Sequence, residues 1–432
     1  MAIADFSGRL RRDACPGALQ VHPAADGDLA RLRVPGGMLT AAQLREVAAA
    51  ARELGSGVIE LTSRANLQVR GLSGGQALAA RMAAAGLLPS ATHERVRNIV
   101  AAPLSGRVPG SLLDVRPLVR ALDRGLCARP AVADLPGRFL FALDDGTGAV
   151  TSLGADVTLV PAAPGEVRVL MGTPALAALA ALSALSAPAA EAVGVMLAVA
   201  EAFLAEREAQ GSGAWRIEEL QDGPARIAAR LHAHPHVHAH MHAHVVAGAS
   251  EPGAPAAGFD AGGDGDRRAA ERRVLCGLVA QDGGGRYAVA ALAPLGRLSA
   301  AQAEVAAGLG GEVVITPWRG IVVPDLDGPE AARRALDALA AAGLVTDPAS
   351  PYTGLTACTG RPGCAKARAD VRADAARFAA LSARRGEVIH WSGCERRCGR
   401  PRDTTVDVVA EAAGYRVTGA ASGAIERLVR RL

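Results

Sequence analysis

Four of the chain's seven cysteines stand in two close pairs, Cys358/Cys364 and Cys394/Cys398, about 30 residues apart. Two short loops that each present two sulfurs to one point make a tetrathiolate site. Five residues separate the first pair, and Gly360, Pro362 and Gly363 among them let the backbone fold back. Three residues separate the second. Zinc ribbons usually place two residues between paired cysteines, so zinc is the weaker reading. An iron–sulfur cluster takes four thiolates at varied spacings. Cys15, Cys127 and Cys276 stand alone and read as small packed hydrophobes.

A second chemistry is anion binding by arginine. Lys366 is the only lysine, and every other basic side chain apart from histidine is arginine. Arg33 precedes a Pro-Gly-Gly turn at a strand end, Arg64 sits in a turn between two strands, and Arg97 lies beyond the following helix. Loops at strand ends are where a scaffold exposes binding groups, and a guanidinium holds carboxylates in a two-pronged fork. The plain alternative is a solvated surface arginine. Thr62 and Gln68 add neutral hydrogen-bonding groups, which could equally satisfy local turn backbone.

The elements that carry these residues repeat. A strand at 28–34 leads to a helix capped by Thr40 and running to Leu54. Strands at 58–62 and 67–69 and a helix at 76–85 follow, closed by Gly86. The same order returns as a strand at 286–292, a helix capped by Ser299, strands at 312–316 and 321–323, and a helix at 329–342. The wording returns too: Leu39-Thr-Ala-Ala-Gln43 against Leu298-Ser-Ala-Ala-Gln302, and Ala83-Ala-Ala-Gly-Leu87 against Ala340-Ala-Ala-Gly-Leu344. This argues for an internal duplication of a small α+β unit whose sheet buries one face beside its copy. After the first unit a helix is expected at 111–126, strands at 138–143, 157–160 and 166–170, and an Ala-rich helix pair from Pro174 to Leu204. Ala102 and Cys358 fall at matching positions of the two halves.

The chain has 432 residues, enough for several domains, and a modest net charge of +4. No basic run suggests nucleic acid, and no unbroken stretch of about 20 apolar residues suggests a membrane span. Clustered cysteine pairs fit a reducing cytoplasm. Seven of the ten histidines fall in the tract 232–244, followed by a Gly/Pro-rich segment. It reads either as a transition-metal store or as a low-complexity linker. The divisions expected are 1–90 and 271–345 for the two copies of the small unit, 91–231 and 346–432 for the α/β domains after them, and 232–270 for the linker.

With repeat and cysteine pairs in place, the chain resembles the sirohaem-dependent nitrite and sulfite reductase superfamily, and within it the precorrin-3B synthases of aerobic cobalamin biosynthesis. The spacing of the two cysteine pairs is that superfamily's cluster motif. Arg33-Val-Pro-Gly-Gly37, Leu61-Thr-Ser-Arg-Ala-Asn-Leu-Gln68 and Arg97-Asn98 are similar to its tetrapyrrole- and anion-binding stretches. The resemblance implies an α+β fold of two pseudo-symmetric halves, each a ferredoxin-like half-domain followed by a larger α/β domain. Cys358, Cys364, Cys394 and Cys398 would hold a [4Fe–4S] cluster, and Arg33, Thr62, Arg64, Gln68, Arg97, Asn98 and Arg138 would line the tetrapyrrole pocket. The reductases are generally longer and place two lysines around the segment matching Arg138-Phe-Leu140. Here arginine and leucine stand there, which favours the synthases. Glu395-Arg-Arg397 is bulkier than the small residues often found within the second pair.

The resemblance implies oxygen-dependent hydroxylation and lactonisation of precorrin-3A, with NADH as ultimate electron donor. It also implies a mononuclear non-haem iron, for which no two-His-one-carboxylate pattern is legible among His22, His93 and His390. No G-x-G-x-x-G stands at a strand–helix junction, so NADH is expected to act through a separate reductase. Two alternatives stand beside this reading: a nitrite or sulfite reductase with bound sirohaem, and a non-catalytic metal-binding protein built around the histidine tract.

Overall fold

Thr40 ends a short strand and opens a helix: its hydroxyl accepts from the Gln43 amide, while the Gln43 side chain accepts from the Thr40 amide. Ser299 and Gln302 do the same. These reciprocal caps satisfy otherwise orphaned donors and set where each helix begins. The computed structural model describes residues 13, 15–172, 184–233, 276–382, 386–401, 403–419 and 422–430. They form two compact units. One takes in the described residues of Met1–Cys15, Arg33–Gly37 and Pro89–Asp264; the other takes in those of Pro16–Leu32, Met38–Leu88 and Gly265–Leu432.

In the second unit, β1 (Asp28–Leu32), β4 (Leu67–Leu72) and β3 (Val58–Leu61) pair antiparallel. β10 (Gly277–Ala280), β11 (Arg286–Leu292), β14 (Gly320–Asp327) and β13 (Glu312–Ile315) do likewise. Each sheet is completed by a strand from the other segment. β12 (Arg297–Ser299) adds to β3, and β2 (Met38–Thr40) adds to β13. Helices α1 (Ala41–Leu54) and α6 (Ala300–Gly308) follow the two exchanged strands and pack together. Their Ala-rich faces, with Ala48, Ala51, Ala303 and Ala307 fully buried, allow close approach. The remaining helices of these segments are α2 (Gln76–Ala84) and α7 (Gly328–Ala341).

A third sheet in this unit runs β15 (Leu355–Ala357), β16 (Ile389–Ser392), β17 (Val406–Glu411) and β18 (Gly414–Gly419), parallel, parallel, then antiparallel. Trp391 packs between Phe378 of α8 (Val371–Leu381) and Tyr415, at ring-centroid distances of 5.6 and 5.0 Å. The first unit repeats that pairing pattern in β5 (Ile99–Ala101), β6 (Phe141–Leu143), β7 (Val157–Ala163) and β8 (Glu166–Met171), with β9 (Ala184–Pro188) added at the edge. Its core joins Phe139 and Phe141 to Phe203 of α4 (Ala192–Ala209), on which α5 (Gly223–Ala233) packs. Among the described residues no helix is long and apolar enough to cross a membrane.

Two local expectations change. The helix expected from Ser111 begins instead at Arg116, as α3 (Arg116–Cys127). Ser105 holds the preceding segment out of the helix, its hydroxyl donating to the Leu113 carbonyl and accepting from the Val115 amide. Pro117 then suits the first turn, where its missing N–H costs nothing. Within the Ala-rich region, Ala184–Pro188 is an edge strand rather than helix, a position that tolerates proline. Residues 173–183 lie outside the described residues, as does the histidine tract beyond Ala233.

Candidate functional site

Cys358 follows β15 directly, and its amide donates to the Trp391 carbonyl at 2.9 Å. Its sulfur accepts from the Gly393 amide at 3.1 Å, which ties the first cysteine loop to the second. The chain then reverses at Gly360, whose φ of +67° favours glycine and where a Cβ would stand 3.0 Å from the Val371 nitrogen. The Cys364 amide donates back to the Gly360 carbonyl at 2.9 Å. In the second loop the Arg397 amide donates to the Cys394 carbonyl at 3.2 Å. Burial pushes the Cys358 thiol up. Burial also raises the Cys398 thiol, helped by the charges of Cys358, Cys394 and Cys364.

Among the described residues no group of three or more His, Cys, Asp or Glu side chains converges on a single metal ion. A cubane cluster asks for something wider, because each thiolate binds a different iron. The bulky second loop also has an account. Glu395 pairs with Arg416, while Arg397 and Arg400 reach Asp407 at 3.7 and 2.8 Å. Its charges are thus drawn into a lattice on β17 and β18.

Beside these loops the sheet of β1, β4, β3 and β12 presents a polar row. Arg31, Gln68, Glu60 and Arg297 stand opposite one another across β1, β4, β3 and β12. Arg31 donates to Gln68 at 2.9 Å, Gln68 donates to Glu60 at 3.1 Å, and Arg372 from α8 pairs with Glu60 at 2.6 Å. In the second sheet the same row reads Ala290, Val322, Val314 and Met38. The first three of these are buried. Two strand positions past Gln68, buried Arg70 grips Asp26 through two bonds of 3.0 and 2.7 Å and donates to the Gly363 carbonyl at 2.8 Å. A cavity of about 490 Å³ opens beside these residues and the Thr359–Gly363 loop.

The residues singled out from sequence divide between the units. The four cysteines, Thr62, Arg64 and Gln68 belong to the second; Arg33, Arg97, Asn98 and Arg138 belong to the first. Thr62 accepts from the Asn66 and Arg64 amides at 3.0 and 3.3 Å, so its hydroxyl shapes the turn that presents half-buried Arg64. Buried Arg33 donates to the Arg95 carbonyl at 3.1 Å. Arg97 is forked onto Asp123 at 2.6 and 2.8 Å, and the Asn98 amide donates to the Gly137 and Phe139 carbonyls. Exposed Arg138 lies 4.8 Å over the Trp215 ring.

Two histidines outside the tract make hydrogen bonds. His93 uses Nδ1 towards Ser90 and Thr92 and Nε2 towards the Arg129 carbonyl. His390 meets Thr356 at 2.8 Å and is held down at about 4 by burial and by the charge of Arg319. Sequence reasoning passed over Arg70, Asp26, Glu60 and Arg372. The one signal for Arg70 was its spacing, two positions beyond Gln68 on the same strand face.

Residues 22–83, from just ahead of β1 into α2, match the nitrite/sulfite reductase ferredoxin-like half domain. The chain is similar to precorrin-3B synthase. The precorrin-3B synthase of Sinorhizobium sp is 28% identical, the likeness covering 96% of this chain and 84% of that protein. The chloroplastic ferredoxin–nitrite reductase of Zea mays is 27% identical over 86% of this chain and 67% of its own length. The ferredoxin–nitrite reductase of Synechococcus elongatus is 34% identical over 27% of this chain and 25% of that protein. The fold is that of the Mycobacterium tuberculosis NirA protein, with a TM-score of 0.66 at 18% identity, covering 92% of this chain and 76% of that one. The resemblance to precorrin-3B synthase and to the reductases is thus borne out over nearly the whole chain, and the relatives are enzymes.

Proposed function

We propose that this chain is a precorrin-3B synthase that hydroxylates precorrin-3A with O2 and forms a lactone from the ring A acetate. The observation that carries the reading is the likeness to the Sinorhizobium synthase along 96% of the chain. It is supported by two cysteine loops tied together through the Gly393 amide and the Cys358 sulfur, and tied to the first sheet through Arg70 and the Gly363 carbonyl. Cys358, Cys364, Cys394 and Cys398 would hold a [4Fe–4S] cluster, and the donor set fits: four thiols on two glycine-turned loops, one already accepting a backbone N–H. Such a cluster supplies single electrons when bound. Among the described residues no three His, Cys, Asp or Glu side chains converge on one ion, so no step is assigned to a mononuclear iron.

The chain's own residues bind and orient. Gln68 is locked by Arg31 and Glu60, which fixes where its amide can meet a polar edge of the substrate. Arg64, on the turn shaped by Thr62, would hold a precorrin carboxylate by its fork, and by the same resemblance Arg33, Arg97, Asn98 and Arg138 would bind tetrapyrrole. NADH would act through a separate reductase. The matching sheet topologies and exchanged strands support a duplication into two pseudo-symmetric halves, divided as the sequence suggests at 90, 231, 270 and 345.

The test is to incubate pure reduced protein with precorrin-3A and O2 and weigh the product. A gain of one oxygen atom is expected, and unchanged precorrin-3A overturns the reading. Similarity to nitrite reductases favours one rival, a reductase with bound sirohaem. Strong chlorin-type bands in the anaerobically purified protein would decide for that rival, and a broad brown shoulder for the synthase.

A further inference from the structure

Four arginines, Arg70, Arg297, Arg361 and Arg372, line the cavity beside the first cysteine loop against three carboxylates, Asp26, Glu60 and Asp370, the last capping α8 through the Ala373 amide at 3.1 Å. Asp26 is committed to Arg70 by two hydrogen bonds. Glu60 is committed to Arg372 and Gln68. Arg297 stands opposite Glu60 in the strand register and so faces an acceptor already in use. Arg372, largely buried, has its Nε without a hydrogen-bond partner. A buried donor left unmade costs about 1–3 kcal/mol, more when charged. The crowding also shows in Arg297, whose guanidinium is held below its ordinary value by burial and by the charge of Arg372.

We propose that this cavity binds a small free carboxylic acid, its carboxylate held between Arg297 and Arg372. A guanidinium fork matches two carboxylate oxygens, and Arg297 and Arg372 both line the cavity. The volume of about 490 Å³ suits an organic acid of several carbons rather than a bare ion. Tyr352 and Thr359, which also line the cavity, offer hydroxyls to a second polar group. Arg361, the other lining arginine, is engaged, its Nε donating to the Ala367 carbonyl at 2.8 Å. The site includes none of the residues assigned above to the tetrapyrrole. It stands whether or not the chain is a synthase.

Titrating the full-length protein with citrate at constant ionic strength, followed calorimetrically, tests this. Saturable binding is expected in the wild type. Arg297→Gln should weaken it about ten- to a hundredfold, the loss of one charge-assisted contact. Arg297→Lys, which keeps charge but not the fork, should fall between. Arg286→Gln, an exposed arginine on β11, should bind as the wild type does. Absence of saturable binding overturns the proposal, as does equal affinity in Arg297→Gln. A third result also overturns it: Arg297→Gln weakens precorrin-3A binding but leaves citrate binding intact, which would assign the arginine to the tetrapyrrole.

Discussion

Arg70 donates to the carbonyl of Gly363 at 2.8 Å, joining the ferredoxin-like sheet to the residue immediately before Cys364. The guanidinium is oriented for this by Asp26, so sheet, carboxylate and cysteine loop form one connected unit. Arg70→Ala should lower stability by about 1.5–3 kcal/mol in urea titration, the range for a hydrogen bond to a charged group. It should also lower iron bound per chain, because the Cys364 loop loses its tether. Unchanged iron content at reduced stability would separate the structural role from the loop-positioning one.

The Asp26 carboxyl gives this tether a pH dependence. Burial pushes it up, but the hydrogen bond and charge of Arg70 outweigh burial and hold it below 3.8. A depressed carboxyl stabilises the fold above its unfolded value, and the contribution is lost as pH falls through the folded one. The stability difference between wild type and Asp26→Asn should therefore be full near about pH 6 and shrink towards about pH 3. A difference that grows on acidification would contradict the assignment.

Replacing Cys358 by serine removes the sulfur that bridges the two loops through the Gly393 amide. Iron and acid-labile sulfide should fall to background, with loss of the brown absorption. Cys127→Ser, at the end of α3 in the other unit, should retain both. Full iron in the Cys358 variant would rule out the cluster assignment.

Arg97 is buried and forked onto Asp123. Truncating it to alanine strands a mostly buried carboxylate, so a loss of about 3–5 kcal/mol is expected in chemical denaturation. An Arg97→Ala protein as stable as the wild type would show that the pair with Asp123 contributes nothing to the fold.

What could be read without coordinates follows the range of each interaction. Thr40 and Ser299 bond to residues three positions away, so both helix starts were visible as local patterns. The cysteine pairs were legible because their spacing is itself the chemistry. The tether was not, because Arg70 and Gly363 are 293 residues apart in the chain. No periodicity reports a contact at that separation. Ala184–Pro188 misled for a related reason: an alanine-rich edge strand is made by its neighbour β8, not by its own propensity.

The two sheets that exchange strands offer a test of why one row is polar. Glu60 and Val314 occupy the same place in their sheets, each opposite the middle of the row, Gln68 or Val322. Glu60→Val would copy the apolar row onto the first sheet but leave Arg372 buried without its carboxylate. Breaking a buried pair from one side costs about 3–5 kcal/mol, whereas replacing both partners with packed apolar residues is often neutral. Glu60→Val alone should thus be strongly destabilised in urea, and Glu60→Val with Arg372→Met should recover most of the loss. If the double variant regains stability yet loses precorrin-3A binding, the polar row serves the ligand rather than the fold. Recovery of both would mean that Gln68 needs no fixed carboxylate beside it.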